Sequence, residues 1–259
     1  MIQQQRHARI LTHLADNEFL SVEEAVRLFD SSPATIRRDF NDLSDQNLCR
    51  RTRGGIQRVN HWSYGVTPFA LREVRFAKEK DALARRAVTL LKPGDAVIVD
   101  GGTTTFHLIH CLPNFPLHVI TNSLRLASLL GEKNRLESQV EVFLTGGHLY
   151  PQSGQLIGPQ ARAGLSQYYA HWAFLSVGGI DENSLYYSNE LVVETEQAMM
   201  ANADRVAVLA DHSKIGTRAM CHLCPIDQVD VLITDSWPSH EPLFKQIREV
   251  GVEVITVDV

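Results

Sequence analysis

Short runs of apolar, mostly β-branched residues alternate with helical segments over the last two thirds of the chain. The first three runs, at residues 96–99, 118–122 and 140–144, end in small polar loops. Further runs occupy residues 173–177, 206–210, 229–234 and 252–257, with helical patterns near 80–91, 124–130, 159–168, 190–202 and 242–250. The threonines at 103–105 are predicted to open a further helix, through Leu108 and Cys111. Strands separated by helices cannot pair through tight hairpins. The alternation therefore predicts an α/β fold with a largely parallel sheet and right-handed crossovers.

The first 60 residues are organised differently and predict three short helices. The first helix covers residues 2–14, and the second begins after Ser21, a good N-cap. The third covers residues 33–46, with Ser32 as its cap and Pro33 at the first helical position. Two helices joined by a short turn are typical of a helix-turn-helix motif.

An arginine-rich hairpin with a glycine pair at its tip, residues 48–59, is predicted after the third helix. A helix fits the major groove of DNA, and the arginines of such a wing reach phosphates or the minor groove. Residues 1–60 are thus predicted to be a winged helix-turn-helix domain that binds double-stranded DNA. The predicted contact residues are Ser32, Pro33, Ala34, Thr35, Arg37, Arg38, Arg51 and Arg53.

The charge distribution agrees with this prediction only when it is divided by position. The whole chain has a formal net charge of −5, which by itself argues against a nucleic-acid partner. Residues 31–60, however, contain six Arg and three Asp, a net charge of +3, while residues 61–259 have a net charge of −6. Attraction to DNA must therefore come from a few arginines.

Composition excludes several other classes of protein. No apolar run reaches the roughly 20 residues that a membrane span needs, and the first 15 residues are too polar for a signal peptide. Four cysteines in a chain of this length indicate reduced thiols. We therefore expect a cytoplasmic protein without a membrane partner.

Polar loops follow the predicted strands of residues 79–259, where open parallel sheets bind their ligands. Glycines let backbone N–H groups approach an anion, threonine hydroxyls add donors, and a lysine adds positive charge. We expect this domain, joined to the first by a linker at 61–78 with a short helix at 69–74, to bind a phosphorylated small molecule. The predicted effector-binding residues are Asp100, Gly101, Gly102, Thr103, Thr104, Thr105, Asn122, Gly146, Gly147, Asp181 and Lys214.

The segments at residues 32–40 (SPATIRRDF) and 51–55 (RTRGG), with Leu43 between them, resemble the signature of the DeoR-type bacterial transcriptional regulators. Phe40 replaces the usual leucine, and Arg53 replaces the usual histidine. The loops at 100–104 (DGGTT), 121–123 (TNS), 146–147 and 211–214 (DHSK) also match elements of that family, with His212 in place of the usual serine.

This resemblance implies a function as well as a fold. It implies a sensor domain similar to ribose-5-phosphate isomerase-like folds, which binds a phosphorylated sugar or sugar derivative without turning it over. It also implies a repressor of a carbohydrate-utilisation operon that acts on operator DNA. One small winged helix buries little surface, so we expect a homo-oligomer, a dimer or tetramer. No cofactor and no catalytic residue is expected.

Two other classes of function stay open at this point. Glu190 and Glu194 lie on one face of a predicted helix and could serve acid/base chemistry, so the sensor could be a sugar-phosphate isomerase with a regulatory DNA-binding head. Alternatively, the winged helix could bind protein. Cys221 and Cys224 form a C-x-x-C pair, but a second pair of ligands is missing, so no metal site is expected.

Overall fold

The computed structural model describes residues 3–46, 48–58, 69–133 and 139–259. It divides into two compact units, residues 1–77 and 78–259. Residues 61–68, which make up the first part of the predicted linker, lie outside the described residues.

The first unit contains the predicted helices and hairpin. Its elements are α1 (Gln3–Asp16), β1 (Phe19–Ser21), α2 (Val22–Phe29), α3 (Pro33–Asp45), β2 (Arg50–Thr52), β3 (Gly55–Gln57) and α4 (Phe69–Val74). The three predicted helices, the arginine-rich hairpin and the short helix at 69–74 are all confirmed. The sequence did not predict β1, which pairs with β3 and gives a small antiparallel sheet of order β1-β3-β2.

A single apolar core holds the first unit together. Ile10 of α1, Ile36 and Phe40 of α3 and Ile56 of β3 are all fully buried in it. Phe40, one of the two departures from the family signature in this unit, is thus a core residue. Leu71 of α4 packs into the same core, so this part of the predicted linker belongs to the first unit.

A buried ion pair joins α1 to α3. The guanidinium of Arg6 donates to both carboxylate oxygens of Asp39, at 2.5 Å from Nε and 2.9 Å from Nη2. Asp39 is only 1% exposed, and His7 Nε2 lies 3.1 Å from the same carboxylate. A bidentate pair of this kind fixes geometry as well as charge. It therefore sets the rotation of α3 against α1, and with it the face that α3 turns outward.

The second unit is the predicted α/β domain. Its helices are α5 (Ala77–Ala87), α6 (Thr103–Phe106), α7 (Leu124–Lys133), α8 (Pro159–Leu165), α9 (Glu190–Ala201) and α10 (Glu241–Glu249). Its strands are β4 (Ala96–Val99), β5 (Leu117–Thr121), β6 (Val140–Leu144), β7 (His148–Tyr150), β8 (Gln155–Ile157), β9 (Ala170–Ser176), β10 (Gly179–Ile180), β11 (Ser184–Tyr187), β12 (Ala203–Leu209), β13 (Cys221–Pro225), β14 (Val231–Asp235) and β15 (Glu253–Val257).

Seven of these strands form one parallel sheet, which confirms the predicted fold class. The order is β15-β14-β12-β9-β4-β5-β6. The chain runs outward from β4 through β5 to β6, and then returns to the other side of β4 as β9. The direction of winding therefore reverses between β4 and β9. In sheets of this kind the crevice beyond such a reversal, at the carboxyl ends of the strands, is where ligands bind.

The structure also differs from the predicted elements in three places. The helix predicted to run from the 103–105 threonines past Leu108 is only the four-residue α6, followed by a 3-10 helix at His107–His110. The β7-β8 hairpin and the small antiparallel sheet β10-β11-β13 were not predicted. Their strands have two to five residues, which is too short for a clear alternation of apolar and polar residues.

Within the part of the chain that the structure describes, no helix is long and apolar enough to cross a membrane.

The Arg6–Asp39 pair yields a test of stability. We expect Arg6→Met to destabilise the first unit by about 3–5 kcal/mol, because it leaves a buried carboxylate without its cation. The value should be near the lower end, because His7 still reaches Asp39. Urea denaturation followed by circular dichroism measures this.

The double variant Arg6→Met/Asp39→Leu is the matched control. It removes both charges, so most of the lost stability should return. The exposed Arg37→Ala should change stability by less than about 0.5 kcal/mol. A double variant that is no more stable than Arg6→Met alone contradicts the proposed role of the pair.

Candidate functional site

The turn between α2 and α3 has the geometry of a helix-turn-helix motif. Asp30 ends α2 in the left-handed conformation, with φ of 46°, and its N–H donates to the carbonyl of Val26. Ser32 is extended and caps α3, accepting a hydrogen bond from the Thr35 N–H at 3.2 Å. Pro33 occupies the first turn of the helix, where its missing N–H costs no hydrogen bond.

The outward face of α3 carries the residues predicted to contact DNA. Arg37 and Arg38 are both exposed, because Ile36 and Asp39 on either side of them point into the unit. Ser32, Pro33 and Ala34 are exposed at the start of the same helix, and Thr35 is half-buried. The fold thus brings these six predicted residues onto one solvent-facing surface.

The wing packs against the C-terminal half of α3. Arg51 and Arg53 are exposed on it, and the guanidinium of Arg51 lies 5.7 Å from the centre of the Phe40 ring. Arg51 also donates to the carbonyl of Gly55 at 3.3 Å. Gly54 forms the tip with φ of 92°, a conformation that favours glycine. The eight predicted residues therefore lie on two elements of one unit, and Phe40 links them.

Asp100 lies at the reversal point of the large sheet. It follows β4, and its carboxylate accepts from the Ser176 N–H at 3.0 Å and the Ser176 hydroxyl at 2.8 Å, at the end of β9. It also accepts from the Gly102 N–H at 3.2 Å and from the Thr105 hydroxyl. Four donors thus hold one fully buried carboxylate. This arrangement fixes the loop of residues 100–105, the effector loop, across the ends of β4 and β9.

The rest of the effector loop is packed tightly. Thr103 and Thr104 are 6% and 5% exposed, beside the fully buried Thr105. A Cβ on Gly101 would collide with the side chain of Gln155, and one on Gly102 with the side chain of Ser176. Steric contact with the side chains of Gln155 and Ser176 therefore requires glycine at both positions.

A second buried polar segment lies next to this loop, at the end of β5. The Asn122 amide nitrogen donates to the Leu156 carbonyl at 3.2 Å, while its Oδ1 is buried without a hydrogen-bond partner. Gln155 accepts from the Ser153 hydroxyl at 2.9 Å, and its Nε2 is likewise buried without a partner. A buried polar atom without a partner is costly. These two atoms, one acceptor and one donor, are suited to a polar ligand.

The remaining four predicted effector residues follow strands other than β4 and β5. Gly146 and Gly147 are exposed beyond β6, the edge strand, and Lys214 is half-buried beyond β12. Thus β4 and β5 bring seven of the eleven predicted residues together, Asp100 to Thr105 and Asn122. The other four stand at other strands.

The carboxylate of Asp181 is already bound within the small antiparallel sheet. It accepts from the Asn183 and Ser184 N–H groups and the Tyr186 hydroxyl, each at 2.9 Å, and from Arg218 Nε at 2.5 Å. Burial opposes its ionisation, but these hydrogen bonds outweigh burial and lower the pKa of Asp181 below its ordinary value. Asp181 therefore orders the β10-β11 turn and the loop that carries Arg218.

His212, the departure from the family pattern named in the sensor, forms a polar and aromatic group with two residues at the end of β14. Its N–H and Nδ1 lie 2.6 Å and 2.5 Å from the two carboxylate oxygens of Asp235. The ring of Trp237 stacks on the imidazole, with centroids 4.3 Å apart. A serine at this position could provide neither the ring contact nor the carboxylate-bound imidazole.

Sequence reasoning missed several polar residues of this region. Ser176 is the last residue of an apolar strand, so its place at a strand end could have identified it. Gln155 and Glu196 carry no local signal, because a short hairpin and the middle of a helix bring them in from distant parts of the chain.

The cysteines and possible metal ligands offer little chemistry. Burial, with Glu196 and Asp227 nearby, raises the pKa of Cys224 to about 12, which disfavours the reactive thiolate. Among the described residues, His7, Asp39 and Asp42 lie close enough to share a cation. Arg6 already neutralises the Asp39 carboxylate there.

Family models match both units. A DeoR-like helix-turn-helix domain matches residues 6–61, and the DeoR C-terminal sensor domain matches residues 75–236. The chain belongs to the DeoR family of helix-turn-helix regulators. It is a DNA-binding transcriptional regulator, and its second unit is the family's sensor domain.

Named relatives in this family match over nearly the whole chain. The HTH-type transcriptional regulator UlaR of Shigella dysenteriae serotype 1 (strain Sd197) is 33% identical over 257 residues, 99% of this chain and 100% of the relative. The UlaR of Escherichia coli (strain K12 / DH10B) is 32% identical over the same length.

Two solved structures that are similar to this chain overlap with it in part. Ribose 5-phosphate isomerase A from Methanocaldococcus jannaschii matches with a TM-score of 0.40 and 20% identity, over 54% of this chain and 55% of its own. The translation initiation factor eIF-2B from Pyrococcus horikoshii OT3 matches with a TM-score of 0.40 and 17% identity, over 81% and 71%.

The packing of the effector loop yields a second test. We expect Gly102→Ala to destabilise the second unit by about 1–3 kcal/mol, because the new methyl group displaces Ser176 from Asp100. Gly131→Ala is the matched control, since Gly131 lies on α7 in open space and the change should stabilise by about 0.5–1 kcal/mol. Thermal unfolding of both variants measures this. Equal stability of the two contradicts the close approach at Gly102.

Proposed function

We propose that this regulator is a repressor of a carbohydrate-utilisation operon, and that a phosphorylated sugar or sugar derivative controls its binding to operator DNA. The surface that contacts DNA is formed by α3 and the β2-β3 wing. The effector site consists of the loop of residues 100–105 after β4 and the buried Asn122 and Gln155 beside it. The protein has no enzymatic activity of its own in this proposal.

The exposed Arg37 and Arg38 on the capped helix α3 support the DNA half of the proposal. An arginine at the start of a recognition helix reaches base edges or phosphates in the major groove, and the wing arginines Arg51 and Arg53 add phosphate contacts. Residues 31–60 have a net charge of only +3. The loss of any two of these arginines therefore removes a large part of the electrostatic attraction to DNA.

The buried atoms Asn122 Oδ1 and Gln155 Nε2, beside the effector loop, carry the effector half. A hydroxyl-rich ligand offers both donors and acceptors, and can satisfy the two atoms together. Gly101 of the effector loop packs against Gln155, and the threonine hydroxyls and N–H groups of the same loop can take the phosphate. The location beyond the reversal of the sheet is the expected one for a small ligand.

We propose that the active form is a homo-oligomer, a dimer or tetramer. A single winged helix of this size buries too little surface for tight specific binding. Two winged helices bound to half-sites about 34–36 Å apart, or at a multiple of that spacing, would supply the remaining contact surface. Analytical ultracentrifugation with and without operator DNA measures the oligomer number directly.

Arginine substitutions test the DNA-binding surface. We expect Arg37→Ala/Arg38→Ala to abolish specific binding to DNA from the regulator's own promoter region. It should also flatten the dependence of binding on salt, by about 0.9 in log–log slope for each lost phosphate contact. Fluorescence anisotropy across a salt series measures both effects.

The control variant removes the same charge elsewhere. Arg85→Ala/Arg248→Ala changes two exposed arginines of the second unit and should leave affinity and slope near their original values. Wild-type protein that binds no DNA from its promoter region overturns the DNA half of the proposal.

A thermal-shift series of pentose and hexose phosphates, with inorganic phosphate alongside, tests the effector site. A compound at 100 times its Kd adds about 2.7 kcal/mol to stability. We expect Thr104→Val to weaken binding of the active compound about fivefold, since one neutral hydrogen bond contributes about 1 kcal/mol. Thr195→Val is the matched control, because its buried hydroxyl donates only to the Leu191 carbonyl of its own helix.

The same compounds test the alternative enzymatic function. Each is incubated with purified protein and analysed for isomerised product by NMR. Measurable turnover that is lost in Thr104→Val would replace the sensor with a sugar-phosphate isomerase. Binding without turnover supports the sensor, and binding of none of them contradicts it.

A further inference from the structure

Glu196 is a fully buried acid that the proposed function has not yet used. It lies on α9, is 0% exposed, and neither of its carboxyl oxygens accepts a hydrogen bond from the described residues. The carboxyl group of Asp100, at the base of the effector loop, is close enough to raise the pKa of Glu196. A lone buried carboxylate with no donor would be very costly.

The distribution of donors decides which of the two acids carries a proton. All four hydrogen bonds described above, from Gly102, Thr105 and Ser176, go to Asp100. Hydrogen bonds to a carboxylate favour its charged form, and two carboxylates in contact cannot both stay charged. Burial, and then the neighbouring Asp100, raise the pKa of Glu196 well above its ordinary value.

We propose that Glu196 is a positioning residue of the effector loop: it remains protonated at neutral pH and its hydroxyl donates to Asp100. This hydrogen bond fastens the middle of α9 to the loop of residues 100–105. The inference uses the proposed function only in naming that loop as the effector site.

The bond has two consequences for the site. It keeps the charge of the acid pair at −1 instead of −2, directly beneath a loop proposed to accept a phosphate. It also ties the loop to a helix with other anchors, since Gln197 donates to the Leu223 carbonyl of β13 at 2.7 Å and Glu194 pairs with Arg162 of α8 at 3.4 Å. A change in the loop is therefore transmitted to α9 and its neighbours.

Infrared spectroscopy of the full-length protein at neutral pH tests the proton. A buried protonated acid gives a carboxylic C=O band that shifts in D₂O. We expect this band in the wild type and in Glu194→Gln, and expect it to be absent from Glu196→Gln. Glu194 is the matched control because it is a half-exposed acid two residues away on the same helix. A wild type without the band overturns the proposal.

Hydrogen exchange tests the positioning. Glu196→Gln replaces the acid with an amide that can still donate to Asp100, whereas Glu196→Met has a similar size and no donor. We expect amides of residues 101–105 to exchange at the wild-type rate in the first variant and at least tenfold faster in the second. Equal exchange in the two variants contradicts a positioning role.

Neither measurement requires an effector. The role of Glu196 and the proposed sugar-phosphate effector can therefore be refuted independently of each other. If the infrared band and the slow exchange of residues 101–105 are observed but no sugar phosphate binds, the role of Glu196 stands and the proposed effector is refuted. Should Glu196→Met not fold, the infrared band and the wild-type behaviour of Glu196→Gln still decide the matter.

Discussion

The sensor unit depends on how one buried carboxylate is satisfied. Asp100 joins the ends of β4 and β9, the two strands between which the winding of the sheet reverses, through Ser176, Gly102 and Thr105. A buried charge is tolerated only with such a set of donors. The same bonds that make Asp100 stable therefore build the effector loop, and Gly102 must be a glycine because Ser176 occupies the adjacent space.

The DNA-binding unit uses a comparable device for a different purpose. Arg6 neutralises the buried Asp39 of α3, and the burial of Ile36 and Phe40 in the core leaves Arg37 and Arg38 facing solvent. Recognition side chains are useful only when the helix beneath them has one orientation. In both units a polar contact inside the core positions groups at the surface.

Much of this organisation could be predicted from local sequence. Caps and proline gave the start of α3 at Pro33, because these signals act within one turn of the helix. The seven strands of the parallel sheet follow from apolar runs. The hairpin β7-β8 and the sheet β10-β11-β13 escaped prediction, since strands of two to five residues are stabilised by pairing with distant segments and not by their own pattern.

The sequence by itself determined the two kinds of unit, the capped recognition helix, the charge of its outer face and the membership of a family. Only the tertiary structure decided that β9 lies beside β4, which brings Ser176 to Asp100, and that Gln155 of β8 packs against Gly101. It also decided that Asp181 is bound to Arg218. Strand order and side-chain burial depend on contacts between residues far apart in the chain, which no local pattern records.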